Sequence, residues 1–130
     1  MKKVLFVCVE NAGRSQMAEG FAKKYAQDKF EVSSAGNKPA DKVNPVVVEV
    51  MKEKGMDISG NKPKLITFQM ANNSDLIVTM GCGAGNICPG PFFKETIDWG
   101  LEDPKGQPIE KVREIRDEIE RRVKQLIAAF

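Results

Sequence analysis

The chain has 130 residues, of which 42% are hydrophobic and 29% are charged, and its formal net charge at pH 7 is +2. This length suits one domain with a proper hydrophobic core, and the composition is typical of a globular protein that folds in water. The small net charge gives no reason to expect a nucleic-acid ligand, and no run of like charges indicates a membrane-binding patch. The apolar run VLFVCV is too short for a signal peptide or a membrane-spanning helix, so we expect a cytoplasmic location.

The first half of the chain alternates between predicted strands and helices. The run KVLFVCV is nearly continuous in apolar residues, as is typical of a parallel strand buried on both faces. An amphipathic helix is predicted over residues 15–26, followed by a short strand, EVSSAG, that ends at a glycine. Asn44 and Pro45 are predicted to be the N-cap and the first residue of a second helix, which Gly55 ends.

The second half continues the alternation. Residues 58–73 predict no more than one short helix, DLIVTM a third buried strand, and ETIDW a short fourth strand. Two loops are predicted, one over residues 81–93 and one over GLEDPKGQP, and a last helix begins near Pro108. This order predicts a single α/β domain over residues 1–130, with a parallel sheet and helices on both of its faces.

Reactive side chains follow three of the predicted strands. Cys8, Cys82 and Asp103 each lie just beyond a predicted strand end. In parallel sheets covered by helices, ligands bind beyond the carboxyl ends of the strands. We therefore expect these three side chains to meet at one edge of the sheet and to form a functional site.

The three cysteines, Cys8, Cys82 and Cys88, do not fit a secreted disulfide framework, because their number is odd and no export signal is expected. A structural zinc site is not expected either. The chain contains no histidine and no C-x-x-C pair, and three thiolates are one ligand short of a closed site. The cysteines are therefore expected either to have a redox function or only to pack in the core, and we expect no metal and no cofactor.

Residues 8–15 have the pattern C-x5-R-S between the first strand and the first helix. A nucleotide P-loop does not fit, because no lysine follows the glycine. Five intervening residues can curl the backbone so that successive N–H groups point inward and bind a tetrahedral oxyanion. The residues of this predicted anion loop are Val9, Glu10, Asn11, Ala12 and Gly13. The helix N-terminus and the planar guanidinium of Arg14 add positive charge to the same place.

Cys8 lies at the floor of the anion loop and is the predicted nucleophile. Helix N-termini and cationic neighbours favour the thiolate form of a cysteine, so the reaction needs no histidine base. The Ser15 hydroxyl can stabilise the thiolate, and the Asn11 side chain can brace the turn. Asp103, which Pro104 follows on its loop, is the candidate general acid for the leaving group.

The segments CVENAGRS, QMAEGF, VSSAG, DLIVTM and EDP together resemble the low-molecular-weight phosphotyrosine phosphatase superfamily over nearly the whole chain. This resemblance implies a three-layer domain whose four-stranded parallel sheet has the order 2-1-3-4. The chain is more similar still to the thioredoxin-coupled arsenate reductases built on that fold, through ENAGRSQMAEG, V-N-P and WGLEDPKG. Phosphatases of this fold usually carry aromatic residues just after the Asp-Pro pair, where this chain has Lys105 and Gly106.

The resemblance also implies a redox relay in the segment GCGAGNICPGP. Cys8 would attack arsenate held by the loop amides and Arg14, while Asp103 protonates the departing oxygen. Cys82 would then form a disulfide with Cys8 and release arsenite, and Cys88 would convert it into a Cys82–Cys88 disulfide that thioredoxin reduces. The glycines of this segment do not form a dinucleotide motif, since Asn86 stands in place of the third glycine, and they would supply mobility.

Two other functions stay open from the sequence. One is a phosphatase acting on phosphotyrosine proteins or small phosphomonoesters, and the other is a non-enzymatic thiol redox sensor.

Members of the reductase family that bind potassium use an Asn, a Glu, a Ser and an Asp. Asn11, Glu19 and Ser34 match that set, while Lys64 takes the place of the aspartate. We therefore expect the Lys64 ammonium to pair with Glu19 and to replace the ion.

Two anion-loop residues depart from the family pattern. Glu10 places a carboxylate in the loop, and we expect it to point outward because the amides point inward. Gly13 stands where many relatives have another small residue or a cysteine, with no evident cost.

Overall fold

The computed structural model describes residues 2–80 and 95–129. The helices and strands of these two ranges are, in chain order, β1 (Lys2–Cys8), α1 (Arg14–Ala26), β2 (Phe30–Gly36), α2 (Pro45–Lys52), α3 (Phe68–Asn72), β3 (Leu76–Thr79), β4 (Glu95–Asp98) and α4 (Ile109–Ala129). They follow the predicted alternation closely. Of the helices in these ranges, none is long and apolar enough to cross a membrane.

The strands form one parallel sheet in the order β2-β1-β3-β4, which confirms the predicted α/β fold and strand order. β1 lies between β2 and β3, with Cys8 opposite Gly36 and Val7 opposite Thr79. Because β1 is paired on both sides and covered on both faces, its apolar run needs no polar alternation. The carboxyl ends of the strands lie at one edge of the sheet, where the functional site is predicted.

Helices cover both faces of the sheet, as predicted. On one face, α1, α2 and α4 pack on the β1 side chains of Val4, Phe6 and Cys8, forming the larger core cluster. On the other face, Leu5 and Val7 form a smaller cluster with residues of β3 and α3. The two clusters follow from the period of two along a strand, which sends neighbouring side chains to opposite faces.

Local sequence signals set the helix ends near the site. Asn44 Oδ1 accepts a hydrogen bond from the Val46 N–H at 2.9 Å, and Pro45 is the first residue of α2, as predicted. α2 ends at Lys52, and Gly55 follows with a φ of +81°, a value that glycine adopts without strain. The short helix expected within residues 58–73 is α3, which is capped by Thr67.

The predicted loop over residues 81–93 lies outside the described residues, and with it Cys82 and Cys88. Their assignment as a redox pair stays a prediction.

Candidate active site

Cys8 is the last residue of β1, and the five residues after it lead into the N-terminus of α1. The thiol is buried, with 7% of the residue exposed. Cys8 Sγ lies 2.8 Å from Ser15 Oγ and accepts a hydrogen bond from the Asn11 N–H at 3.1 Å. The sequence thus places the thiol at the carboxyl edge of the sheet and at the start of a helix, as expected.

The backbone of the anion loop is oriented from outside by the segment that follows β2. The carbonyls of Val9, Glu10 and Ala12 accept hydrogen bonds from backbone N–H groups of residues 38, 40 and 44, at 2.8, 3.0 and 2.9 Å. In a trans peptide the N–H points opposite to the carbonyl of the preceding residue. The N–H groups that follow these carbonyls, those of residues 10, 11 and 13, therefore face inward, where a nest can bind an oxyanion.

Asn11 connects the loop to the rest of the site. Its backbone has a φ of +52°, a conformation that asparagine tolerates better than most residues, and its side chain is fully buried. Its Nδ2 donates to Ser15 Oγ at 2.7 Å and to Ser34 Oγ at 3.0 Å. Its Oδ1 accepts from the Lys64 backbone N–H at 2.9 Å and from Gln16 Nε2 at 3.1 Å. All four hydrogen-bonding positions of the amide are used, so the turn is braced as predicted.

Two hydrogen-bond donors approach the sulfur of Cys8. Ser15 Oγ already accepts a hydrogen bond from Asn11, so its own proton is available for Cys8 Sγ. The Asn11 N–H can act only as a donor. The sulfur therefore lies where a hydroxyl and a backbone N–H converge.

Arg14 is the first residue of α1, and only 6% of it is exposed. Its Nη1 donates to the carbonyls of Met80 and Leu101, at 2.8 and 2.9 Å. These carbonyls follow the third and fourth strands, so the guanidinium is positioned by the carboxyl edge of the sheet. Its Nη2 lies 3.9 Å from Asp103 Oδ2.

Asp103 lies beside this cluster on the loop between β4 and α4. Its side chain is 55% exposed, and its Oδ1 accepts a hydrogen bond from the Lys105 N–H at 3.0 Å. Asp103, Cys8 and Arg14 line one pocket of about 260 Å³, together with most of the anion loop. The structure therefore brings the predicted nucleophile, anion ligand and general acid together.

The side chains at the mouth of this pocket are charged. The pocket is lined by Lys42 and Lys105 as well as Glu10, and no aromatic residue is among the described residues that line it. Lys105 Nζ lies 2.9 Å from Glu10 Oε1, and this hydrogen bond raises the pKa of the Lys105 amine above its usual value. The Glu10 carboxylate is thus paired with a lysine across the pocket mouth.

Gly36 is a residue whose part in the site the sequence did not reveal. A Cβ at this position would lie 2.5 Å from the Val9 carbonyl oxygen and 2.9 Å from the Asn11 nitrogen. The anion loop therefore packs directly on the backbone of β2, which only glycine allows. The one available signal was a glycine at the very end of a predicted strand.

The expected pairing of Lys64 with Glu19 is wrong. Glu19 is buried and accepts a hydrogen bond from Ser34 Oγ at 2.5 Å, and its other oxygen lies 2.7 Å from Lys23 Nζ. Lys64 is exposed, and its backbone N–H, not its side chain, donates to Asn11 Oδ1. Lys23 faces Glu19 because residues four apart share one side of a helix. Among the described residues, no group of three or more Cys, Asp or Glu side chains could hold a metal ion.

The chain is similar to known proteins along almost its entire length. Residues 3–130 match the model of the family described as low molecular weight phosphotyrosine protein phosphatase. The glutaredoxin arsenate reductase of Synechocystis sp. is 42% identical, and the alignment covers 98% of each chain. Arsenate reductase 2 of Staphylococcus haemolyticus is 44% identical, covering 91% of this chain and 90% of that protein.

Solved structures give the same picture. An arsenate reductase in the phosphate binding state is 40% identical, with a TM-score of 0.89, and the match covers 99% of this chain and 98% of that one. The thioredoxin-dependent arsenate reductase of Corynebacterium glutamicum is also 40% identical, with a TM-score of 0.82, covering 99% of this chain and 61% of that one.

Proposed function

The chain belongs to the low molecular weight phosphotyrosine protein phosphatase family, and we propose that it is an arsenate reductase built on that fold. The observation that carries this proposal is the position of Cys8 Sγ, which two donors approach at the floor of a loop whose amides face inward. Such a loop binds a tetrahedral oxyanion and presents a thiolate to its central atom. Relatives at 42% and 44% identity that are named arsenate reductases support the choice of substrate.

The lining of the pocket favours a small inorganic oxyanion over a phosphotyrosine. A phosphotyrosine ring is normally held between apolar or aromatic surfaces, and binding sites use such side chains for most of their contact area. The described lining of this pocket contains no aromatic side chain, and its mouth is formed by Glu10, Lys42 and Lys105. Arsenate has the shape and charge of phosphate and needs no ring contact.

In the first step, the loop amides and Arg14 bind the three non-leaving oxygens of arsenate. The Cys8 thiolate attacks arsenic, an S–As bond forms, and a hydroxyl group leaves as water with a proton from Asp103. Developing negative charge on the oxyanion is stabilised by groups that are already in place, since the carbonyls after β3 and β4 hold Arg14.

In the second step, the Cys82 thiolate attacks the sulfur of Cys8, and the S–As bonding electrons move to arsenic, which leaves as arsenite. The Cys88 thiolate then attacks Cys82, so that Cys8 is released and the oxidising equivalents are stored in a Cys82–Cys88 disulfide. This relay is proposed from the sequence, because both cysteines lie outside the described residues. A dithiol reductant regenerates the enzyme, and we propose thioredoxin, as in the relative from Corynebacterium glutamicum.

A cytoplasmic location and a single domain over residues 1–130 are part of this proposal. A relay of free thiols works only in a compartment that keeps them reduced.

The decisive experiment measures arsenite release by the purified protein with a thioredoxin system, and separately with glutathione and glutaredoxin. We expect multiple turnovers with thioredoxin. The second arm is needed because a relative at 42% identity is named a glutaredoxin arsenate reductase. Turnover with glutaredoxin alone would contradict the choice of reductant but not the reaction.

Serine variants test the relay against a phosphatase. Cys82→Ser is expected to stop arsenate turnover and to spare hydrolysis of an aryl phosphate, which needs only Cys8, Arg14 and Asp103. Cys88→Ser is expected to allow one turnover and to trap a Cys8–Cys82 disulfide that peptide mapping can find. Cys8→Ser is expected to abolish both reactions while phosphate still binds, because a serine without a base is a poor nucleophile at neutral pH.

The second candidate is a phosphatase of phosphotyrosine proteins or small phosphomonoesters, which the family description itself favours. Full multi-turnover arsenate reduction by both relay variants would argue for an external thiol in place of the relay. Aryl phosphate hydrolysis without arsenate reduction would establish the phosphatase. Turnover of neither substrate would leave the thiol redox sensor as the remaining hypothesis.

A further inference from the structure

The loop that carries Asp103 contacts the anion loop at two places that the proposed chemistry does not use. Lys105 Nζ lies 2.9 Å from Glu10 Oε1. The ring of Pro104, the residue before Lys105, packs on Gly13, where an added Cβ would lie 2.9 Å from Pro104 Cγ. Both contacts are made by the two residues that directly follow Asp103.

Within its own loop, the Asp103 side chain accepts a hydrogen bond from the Lys105 N–H at 3.0 Å. The Asp103 side chain is 55% exposed, and its distance of 3.9 Å from Arg14 is long for a charge-assisted hydrogen bond. A general acid contributes only if it lies within reach of the leaving oxygen. The position of the Asp103 carboxyl therefore depends on how its loop is docked.

The two anion-loop residues that make these contacts are Glu10 and Gly13. Glu10 brings a carboxylate to the pocket mouth, where Lys105 pairs with it. Gly13 removes the side chain that would otherwise meet Pro104. Each of these two residues is thus complementary to the residue of the Asp103 loop that it contacts.

We propose that Glu10 and Gly13 are positioning residues, which dock the Asp103 loop on the anion loop so that the carboxyl faces the leaving oxygen. Gly13 allows the Pro104 ring to approach the start of α1, and Glu10 holds Lys105 across the pocket mouth. The proposal rests on the proposed function, because it takes Asp103 as the general acid. The ion pair adds little to the stability of the fold, since Lys105 is 70% and Glu10 33% exposed. Its effect is on the position of the loop.

The test of the ion pair compares Glu10→Gln, Lys105→Gln and the exchanged pair Glu10→Lys with Lys105→Glu. Hydrogen exchange of the amides of residues 103–107 reports docking without any reaction. Hydrolysis rates for phenyl and p-nitrophenyl phosphate report the acid, because only the poorer leaving group, phenolate, depends strongly on protonation. Glu31→Gln, which breaks the remote Lys3–Glu31 pair, is the matched control.

In both single variants we expect faster exchange over residues 103–107 and a kcat/KM for phenyl phosphate that is about five- to tenfold lower, a part of what a general acid contributes. The ratio kcat/KM is used because it covers the step in which the leaving group departs and excludes hydrolysis of the cysteinyl phosphate, which is common to both esters. The kcat/KM for p-nitrophenyl phosphate and the affinity for phosphate should change little. The exchanged pair should recover slow exchange and most of the lost rate, and Glu31→Gln should match the wild type throughout.

The contact at Gly13 has its own test. Gly13→Ala places a methyl group against Pro104 and is expected to lower kcat/KM for phenyl phosphate in the same selective way. If the clash with Pro104 is the cause, adding Pro104→Ala should restore part of the rate, so that the two substitutions are not additive.

Unchanged exchange and unchanged leaving-group dependence in Glu10→Gln and Lys105→Gln would overturn the proposal. A loss of rate by the same factor for both phosphate esters would also overturn it, because the acid would then not be the affected group. If exchange responds as expected but the wild-type protein turns over neither arsenate nor an aryl phosphate, the proposed function fails and the docking of the loop stands.

Discussion

The sulfur of Cys8 is positioned by hydrogen bonds with residues of its own loop and of α1. It lies between the hydroxyl of Ser15 and the N–H of Asn11, and Asn11 in turn donates to that hydroxyl. The donors are held by a fully buried amide whose other contacts come from α1, from β2 and from residue 64. The geometry around Cys8 therefore depends on the packing of the loop as much as on the cysteine itself.

Gly36 offers a test of that packing. Gly36→Ala would place a methyl group 2.5 Å from the Val9 carbonyl oxygen, so the anion loop must move. We expect a destabilisation of about 1–3 kcal/mol, the usual cost of an overpacked site, together with a marked loss of phosphate affinity. Thermal unfolding and titration calorimetry with phosphate would measure the two effects.

The matched control is Gly60→Ala, because no atom lies within 4 Å of a Cβ built at Gly60. This variant should bind phosphate like the wild type. Equal phosphate affinity in Gly36→Ala would show that the loop tolerates the displacement and that its packing on β2 is not needed.

Individual residues were predictable where the chemistry is local in sequence. The spacing of Cys8, Arg14 and Ser15 indicated an anion loop, and strand ends indicated where Asp103 would lie. The Glu10–Lys105 pair and the contact of Gly36 with the loop join residues that are distant in the chain, so no periodic pattern reports them. The Lys64 expectation failed because it came from the match to the potassium-binding residues of the family, whereas helix geometry makes Lys23 the neighbour of Glu19.

At the scale of elements, the helix α1 and the strand β2 are joined by a buried carboxylate. Glu19 of α1 accepts a hydrogen bond from Ser34 of β2, and Lys23 neutralises its charge at 2.7 Å. Ser34 also accepts from Asn11, so this carboxylate is one step from the anion loop. A buried carboxylate needs a cation nearby, and a lysine of its own helix supplies it.

We expect the reaction rate to be the same in potassium and sodium buffers, because Lys23 already pairs with Glu19. Steady-state rates at equal ionic strength would check this. In Lys23→Gln, the Glu19 carboxylate loses its partner, and potassium should then stimulate activity or raise the melting temperature. Lys64→Gln is the control, and its activity should not depend on potassium, since the Lys64 side chain is exposed and only its backbone N–H donates to Asn11. Potassium stimulation of the wild-type protein would contradict the prediction.

The helices α2 and α4 are joined at Glu53, the residue that directly follows α2. Arg113 binds both of its carboxylate oxygens, and Arg116, which is buried, donates to it as well as to the Val50 carbonyl. Hydrogen bonds from Arg113, then from Arg116, lower the pKa of Glu53 from 4.5 to about 2. The charge pattern of the last helix does not reveal these contacts, because the partner follows another helix.

Glu53 should therefore make the stability of the fold depend on pH in acid. Its pKa is lower in the folded than in the unfolded state, so its contribution is complete above about pH 4.5 and is lost as the pH falls toward 2. We expect Glu53→Gln to lower the melting temperature slightly at pH 7, with a difference that narrows below pH 4.5. Glu118→Gln is the comparison, since its partners Arg121 and Arg122 lie on the same helix and it should cost less. If the difference in melting temperature between Glu53→Gln and the wild type did not change with pH, this explanation would be ruled out.

At the scale of the whole molecule, the strand order of the sheet determines where the residues of the candidate site lie. The strand order puts β1 and β3 in the middle, so that the anion loop, the Arg14 contacts and the Asp103 loop all lie at one edge. The order was predictable because alternating strands and helices leave few parallel arrangements, and the family resemblance selected one. The helix boundaries were predictable from capping residues such as Asn44, whose effect is local.

Binding of an oxyanion should therefore stabilise the entire chain and not only the loop. A ligand that binds only the folded state at 100 times its dissociation constant contributes about 2.7 kcal/mol, which for a domain of this size raises the melting temperature by roughly 10 °C. We expect phosphate to produce a shift of that order in one cooperative transition. Trp99 is a suitable probe, because it is buried against Phe6 in the larger core cluster, with ring centroids 5.8 Å apart.

The measurement follows thermal unfolding by the near-ultraviolet signal of Trp99 and by backbone circular dichroism, with and without phosphate. For a single domain, both signals should give the same midpoint and move together. Cys8→Ser should shift by a similar amount, since the loop amides and Arg14 remain, whereas Gly36→Ala should shift much less. A second transition that phosphate does not move would show that part of the chain folds independently of the site.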